Sequence, residues 1–260
     1  MKKCKRIISA GTLVTLLVIA VASSRPQPGY TGEDDSARAL LERSVAASGG
    51  VEAAGAWKTM VETGELTVHW EGWGSPRAKC SLRVIRPDKL VLDQDFSVYD
   101  HPFFFTYYYN GGDVWAVVNL GVRQNPRYTE AMTRAMKNTG GVYYYLSQCD
   151  TFFSVPEVPD DSLVVGSSVD RVGIVDDGDT VMVDLDRQTY FPVRLIRDGG
   201  AEQALFSDYR VADRLTVPFR MTTYQNGTVS SEYVWEQIRF DEPIDEAIFQ
   251  ENRPRESSSG

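Results

Sequence analysis

The most constraining stretch of this chain runs from Asp179 to Phe249, where short runs of strand-like residues are separated by brief polar breaks. Thr180–Leu185 alternates with a period of two, and Phe191–Arg197 follows the turn Asp186-Arg187-Gln188-Thr189. Ala204–Val211, Thr216–Tyr224 and Ser230–Phe240 come next. The breaks are Asp198-Gly199-Gly200, Ala212-Asp213-Arg214 and Gln225-Asn226-Gly227. Asn-Gly suits a tight hairpin turn because both residues tolerate a positive φ. Links this short cannot carry a crossover helix, so the strands form an antiparallel meander and not a parallel α/β sheet.

The preceding sequence extends that pattern. Asp34, Asp35 and Ser36 offer caps and favourable first-turn charge for a helix whose Ala37, Leu40, Leu41 and Val45 share one face. Gly49-Gly50 ends it, and a second short helical piece is predicted over Val51–Trp57. Strands are predicted over Met60–Trp70, Ala78–Ile85, Lys89–Asp95, Phe103–Tyr109 and Val114–Asn119. A helical insertion spans about Tyr128–Lys137, closed by Gly140-Gly141, and Val142–Gln148 continues it as helix or as a lid. Pro156–Asp161 reads as a polar turn, and Leu163–Gly166 and Arg171–Val175 return to strand. The expected fold class is α+β, mainly β: a strongly curved antiparallel sheet, an incomplete β-barrel, covered by the N-terminal helix and the helical insertion. One domain is expected over residues 34–250, with 251–260 a polar, disordered tail.

Composition restricts the partners. The chain has 260 residues, 42% of them hydrophobic, and a formal net charge of −9 spread along its length. That excess of acid argues against nucleic acid and against adsorption to an anionic membrane surface. At the N-terminus, Lys2, Lys3, Lys5 and Arg6 precede the apolar Ile7–Val21, and Ala20-Val21-Ala22 has the small-x-small pattern of a cleavage site. Residues 1–22 therefore read as a secretory signal peptide and 23–33 as a linker, giving a soluble exported product, periplasmic or secreted. An uncleaved anchor is the alternative. Cys4 precedes the apolar run, so it does not sit where an acylated lipoprotein cysteine would. In an oxidising compartment Cys80 and Cys149 form either one disulfide or two buried thiols, and the sequence leaves both open.

Catalytic signatures are missing. His69 and His101 are the only histidines, and there is no His-Glu-x-x-His, no Gly-x-Ser-x-Gly and no phosphate-binding glycine loop. No metal site, cofactor or catalytic residue is expected. Asp176, Asp177, Asp179, Asp184 and Asp186 cluster without the spacing of a calcium loop and read as a solvated hairpin. A carboxylate-dependent hydrolase is the least favoured reading, because the separation of two acids is a three-dimensional fact. The aromatics are more distinctive. Phe103, Phe104, Phe105, Tyr107, Tyr108 and Tyr109 crowd one strand, with Trp115 across a hairpin. Tyr143, Tyr144, Tyr145, Phe152 and Phe153 lie in or beside the insertion. Consecutive aromatics put rings on both faces of a sheet, so one set can fill a core while the other needs a second cover or a ligand.

Asp184-Leu185-Asp186-Arg187-Gln188-Thr189-Tyr190-Phe191-Pro192 resembles the D-x-x-T-x-x-P hairpin of the periplasmic lipoprotein-carrier (LolA/LolB-like) superfamily. Phe206–Arg210, Val217-Pro218 and Ile244–Phe249 resemble its closing strands, and Leu40–Gly50 its opening helix. Ala212-Asp213-Arg214 departs from it, standing where the family has a glycine turn. The resemblance implies a half-barrel closed by helices over an apolar cavity, and no catalytic residues. The functional expectation is a non-enzymatic carrier or binding protein for a lipid or acylated ligand. Phe103, Phe104, Phe105 and Tyr107 would line the cavity, with Trp115, Tyr143, Tyr144 and Tyr145 at its mouth or lid. The alternative is an envelope interaction or regulatory module with a membrane-protein partner.

Overall fold

The computed structural model describes residues 35–70, 72, 74–97, 103–119, 121–155 and 168–254. The signal peptide, the linker, His101, the Pro156–Asp161 turn and the Leu163–Gly166 strand lie outside the described residues. Two helices open the fold, α1 (Asp35–Ala47) and α2 (Gly50–Ala56). Six strands follow: β1 (Thr59–Val68), β2 (Arg77–Ile85), β3 (Lys89–Asp95), β4 (Phe104–Asn110), β5 (Asp113–Val118) and β6 (Gly121–Arg123). Helices α3 (Pro126–Thr139) and α4 (Gly141–Gln148) interrupt them. Seven more strands close the chain: β7 (Thr151–Val155), β8 (Val169–Asp176), β9 (Asp179–Asp186), β10 (Pro192–Arg197), β11 (Glu202–Ala212), β12 (Leu215–Gln225) and β13 (Thr228–Phe240).

All thirteen strands form one antiparallel sheet in the order β6-β5-β4-β3-β2-β1-β13-β12-β11-β10-β9-β8-β7. Each half is a meander, and the long-range pairing of β1 with β13 joins them. The sheet does not close on itself: β6 and β7 are its two free edges. The segment between those edges is α3–α4, so the helical insertion spans the opening of a half-barrel. The expected fold class is what the structure has.

The turns show why the strands fall where they do. At Asn226-Gly227 both residues have positive φ, as do Asp177-Gly178, which is the geometry of a tight hairpin. Asp213 takes φ 53° in the turn without glycine, and its Oδ2 accepts the Phe240 N–H at 3.0 Å. Asp186 explains the D-x-x-T signature. Its Oδ1 accepts from the Gln188 N–H at 3.0 Å, the Thr189 N–H at 2.8 Å and the Thr189 hydroxyl at 2.9 Å. Pro192 then opens β10 and the Tyr209 hydroxyl donates to its carbonyl.

Burial separates the two faces. On the helix-covered, concave side a large cluster spans β1–β5, β12 and β13 under α2 and α3, including Leu66, Val84, Leu90, Phe96, Phe105 and Met132. A second cluster lies under α1 and α4, built from Leu41, Tyr145, Phe152, Ile174, Val183 and Leu185. Val142 and Leu146 of α4 pack against both, which makes α4 the wedge between them. Cys80 belongs to the first cluster and Cys149 to the second, and both thiols are free. The disulfide entertained from the sequence is therefore not formed.

The outer face carries its own small core. Val91, Tyr108, Trp115 and Phe249 are buried there beneath a single-turn helix at Glu246–Gln250. The Trp115 indole N–H donates to the Glu251 carbonyl at 3.1 Å, and Arg253 pairs with Asp113. The polar tail expected from residue 251 thus begins as docked chain, because the outer aromatic face of β4–β5 needs a cover. Further along the outer face, Asp184 is fully buried between two arginines. Its carboxylate accepts from Arg171 at 2.6 and 3.0 Å and from Arg194 Nε at 2.8 Å.

Two stability outcomes follow. Replacing Asp184 by alanine leaves the buried Arg194 charge without its counter-ion, and urea denaturation is expected to show a loss of about 3–5 kcal/mol. Burial pushes the Asp186 carboxyl up, but the Thr189 and Gln188 donors outweigh it and hold the group below its ordinary value. A depressed carboxylate stabilises the fold above its unfolded pKa and ceases to as pH falls through the folded one. Asp186→Ala is accordingly expected to cost about 1 kcal/mol near neutral pH, and the cost is expected to fade under acid.

Candidate functional site: the helix-covered concave face

Pleating decides which aromatics meet. Facing pairs in the β3–β4 and β4–β5 ladders put Phe105, Tyr107 and Tyr109 on one side, with Leu90, Leu92, Gln94, Val114, Ala116 and Val118. That side is the concave one. Phe103, Phe105 and Phe96 pack there as a tight set: Phe96 and Phe103 stack at 4.5 Å, and Phe105 meets both edge-on at 6.1 and 5.6 Å. Trp70 stacks on Phe103 at 5.9 Å, and Tyr107 meets Tyr128 of α3 at 5.6 Å. Phe104 points the other way and is 48% exposed. Trp115 is also on the outer face, stacked on Tyr108 at 5.0 Å. Phe104 does not line the concave side and Trp115 does not stand at its mouth or lid, corrections to the sequence assignment that the parity of the strands accounts for.

The three insertion tyrosines divide among three surroundings. Tyr143 is half-buried at the first cluster, where the Arg86 guanidinium lies 6.0 Å from its ring. Arg86 itself sits 3.3 Å above Trp57 and donates to the Ala54 carbonyl at 2.8 Å, fastening α2 to the end of β2. Tyr144 packs at the edge of the second cluster, with Lys137 5.9 Å from its ring. Tyr145 is buried in that cluster, and its hydroxyl is bonded to Arg197 and to Asn138 at 3.2 Å. The break between α3 and α4 places Gly141 at φ 56°, a conformation glycine adopts without cost.

Attachment of the helical cover is asymmetric. Toward β8–β11, α3 is held by ion pairs. Arg134 reaches Glu202 at 2.8 Å, and Lys137 reaches Asp176 at 2.9 Å and Asp177 at 2.6 Å. Toward β3–β5 the contacts are apolar, through Tyr128 and Met132. Four of the five acids that cluster in the sequence are thereby accounted for: Asp176 and Asp177 hold α3, Asp184 holds two arginines and Asp186 holds its own turn. Among the described residues no group of three or more His, Cys, Asp or Glu is placed to hold a metal ion. His69 is paired with Glu232 at 2.9 Å and with Ser75.

Polar groups in the concave face were not singled out from the sequence. Glu62 shares its side of β1 with Met60, opposite Leu82 and Ile238. Gln94 lies between Cys80 and Phe105, and Tyr233 is buried opposite Leu66. The signal was parity: Leu90, Leu92, Gln94 and Phe96 recur at every second position. Glu62 keeps some solvent contact at its surface, yet protein surrounds it, and burial pushes its carboxyl from 4.5 up to about 8. Burial likewise pushes the Cys80 thiol up to about 12, with Glu62, Glu65 and Glu236 adding to it.

Among the described residues, two hollows lie outside the α3–α4 cover. One, of about 320 Å³, lies on the outer face between Arg83, Asp93, Phe104 and Asn119 and the segment Ile248–Asn252. The other, of about 480 Å³, is an open depression bordered by Lys58, Arg214 and Asp241. Side chains of the sheet and of the helices pack together on the concave face.

Glu62 gives this face a pH signature. Its folded pKa of about 8 exceeds the ordinary 4.5, so the folded state holds the proton more tightly than the unfolded chain. Its contribution is fully present below the unfolded pKa and is lost as pH rises toward the folded one. Thermal melts are expected to lose stability from this group across that interval, and Glu62→Gln is expected to abolish that component. A slope identical in the variant would contradict the assignment.

No protein-family model and no curated protein sequence matches this chain. Solved structures do. An outer membrane lipoprotein-sorting protein domain from Vibrio parahaemolyticus superposes with TM-score 0.51 at 14% identity, covering 84% of this chain and 97% of that one. A DUF1329 family protein from Desulfovibrio piger gives 0.56 at 12% identity, covering 83% and 98%. A LolA superfamily protein from Nitrosomonas europaea gives 0.50 at 9% identity, covering 82% and 96%. At these identities the likeness speaks to architecture. With its open antiparallel sheet and its helices packed on the concave side, the chain has the LolA-like fold.

Proposed function

We propose that this protein is an exported, non-enzymatic carrier or binding protein for a lipid, an acyl chain or another apolar ligand of the cell envelope. The observation that carries the reading is the concave aromatic face covered by two short helices. Phe103, Phe105, Tyr107 and Phe96 make a continuous apolar surface there, and α3 rests on it through the apolar contacts of Tyr128 and Met132. Such a cover separates from its sheet at that end without breaking an ion pair among the described residues, and a ligand that replaces the lost apolar contacts offsets the cost. Tyr143, Tyr144 and Tyr145, on α4 beside the fastened end of α3, belong to the side that stays in place in this reading. The resemblance to lipoprotein-sorting and LolA structures supports a binding fold of this kind. The N-terminal sequence pattern supports export. Among the described residues no helix is long and apolar enough to cross a membrane.

The outer hollow beside the exposed Phe104 favours a second reading, an interaction or regulatory module that engages an envelope membrane protein. Charge substitutions on the two faces separate the readings. Phe103→Asp, at the half-buried end of the inner aromatic set, is expected to weaken uptake of a fluorescent fatty acid by about tenfold or more, roughly 1.4 kcal/mol. Phe104→Asp is expected to leave uptake unchanged, with both variants keeping the native near-ultraviolet circular dichroism. Equal effects of the two substitutions, or retention by Phe103→Asp, would sink the carrier reading.

A further inference from the structure

Gln94 sits in the middle of the concave face, and its side-chain amide makes no well-formed hydrogen bond with its surroundings. Its side chain is 1% exposed, and neither Nε2 nor Oε1 makes a hydrogen bond. It is near enough to the Tyr233 hydroxyl to lower that group's pKa slightly against the dominant effect of burial, but the pair falls outside hydrogen-bond geometry. Across the ladders its neighbours are Cys80 and Phe105, and Leu92 and Phe96 flank it on its own strand side. A buried amide with both ends unfilled destabilises the fold, and a leucine of similar size would not. Gln94 therefore works against the stability of the core that surrounds it. Such an unfilled pair of valences marks either a trapped water or a partner that arrives from outside.

The geometry of the amide restricts that partner. Nε2 donates and Oε1 accepts, side by side in one plane. A secondary amide complements both: its carbonyl accepts from Nε2–H and its N–H donates to Oε1. An ester fills only the donor side, and a hydrocarbon fills neither. The hydroxyl of Tyr233 and that of Tyr107, on the same face, border the position with further polar capacity. The Tyr128 ring rests on Tyr107 of the same face, at the end of α3 that carries no ion pair to β3–β5 among the described residues.

We propose that Gln94 is the polar anchor of the concave face, pairing through Nε2–H and Oε1 with a secondary amide of an acyl ligand. The assignment rests on the carrier reading above and adds to it the chemistry of the ligand's polar end. Binding involves no covalent step.

The test is competition against N-phenyl-1-naphthylamine bound to the purified protein, using N-methyldodecanamide, methyl dodecanoate and dodecane as competitors. On the native protein the amide is expected to compete about tenfold better than the ester, a gap equivalent to roughly 1.4 kcal/mol, and the ester better than the hydrocarbon. In Gln94→Leu the three competitors are expected to converge while the dye still binds. That variant is also expected to melt at a higher temperature, which a purely structural Gln94 would not produce. Dye uptake without discrimination among the competitors overturns the anchor and leaves the carrier reading standing, with a trapped water as the occupant of the site. Selectivity that survives Gln94→Leu, or a lowered melting temperature with selectivity intact, overturns it as well. Failure of the native protein to take up the dye or any competitor removes both readings together.

Discussion

The pairing of β1 with β13 is the constraint on which the rest of the structure depends. It joins two local meanders across the length of the chain, and it does so in the centre of the sheet. With that seam formed, the free edges fall at β6 and β7, and the helical insertion between them lies across the opening. The seam is also where the ladder is irregular. Its register shifts between Thr63 and Gly64, and a Cβ on Gly64 would come within 2.2 Å of the Val234 carbonyl oxygen. A bulge of this kind increases local twist, which suits a sheet that curls without closing.

Both faces of that sheet are used, and by different means. The concave side is buried by helices, with ion pairs fastening the cover toward β8–β11 and the apolar Tyr128 and Met132 meeting it toward β3–β5. The outer side is buried where the C-terminal turn lies over Tyr108 and Trp115, and again around the Asp184 ion pairs. Elsewhere on that side Phe104 is left exposed beside a hollow. The same strand thus supplies a core to one face and a partly open surface to the other.

Much of this was legible in the sequence. The hairpins were readable because Asn-Gly, Asp-Gly and the Asp186–Thr189 turn encode positive φ or capping hydrogen bonds locally. The N-terminal helix and the insertion were readable from apolar spacing and from glycine pairs. Side assignment was harder: a run such as Phe103-Phe104-Phe105 has no polar residue to mark the parity, so Phe104 and Trp115 were placed on the wrong face. Residues 251–253 look like tail because what docks them, the Trp115 indole and Asp113, is remote in sequence. Strands β6 and β7 escaped notice because they are three and five residues long and abut helices. Gln94 was hidden for a different reason: between Asp93 and Asp95 it looks like one more solvent-facing residue, and only the burial of its neighbours on alternate positions reveals otherwise.

An apolar face under a detachable cover, with polar groups buried in its middle, makes physical sense as a place that exchanges its own contacts for those of a ligand. The most direct measurement of that claim is native mass spectrometry of the protein purified from its own compartment, followed by solvent extraction. The account predicts a bound species of lipid mass that solvent releases. A clean unliganded mass, together with no uptake of a fluorescent fatty acid by the purified protein, would contradict it.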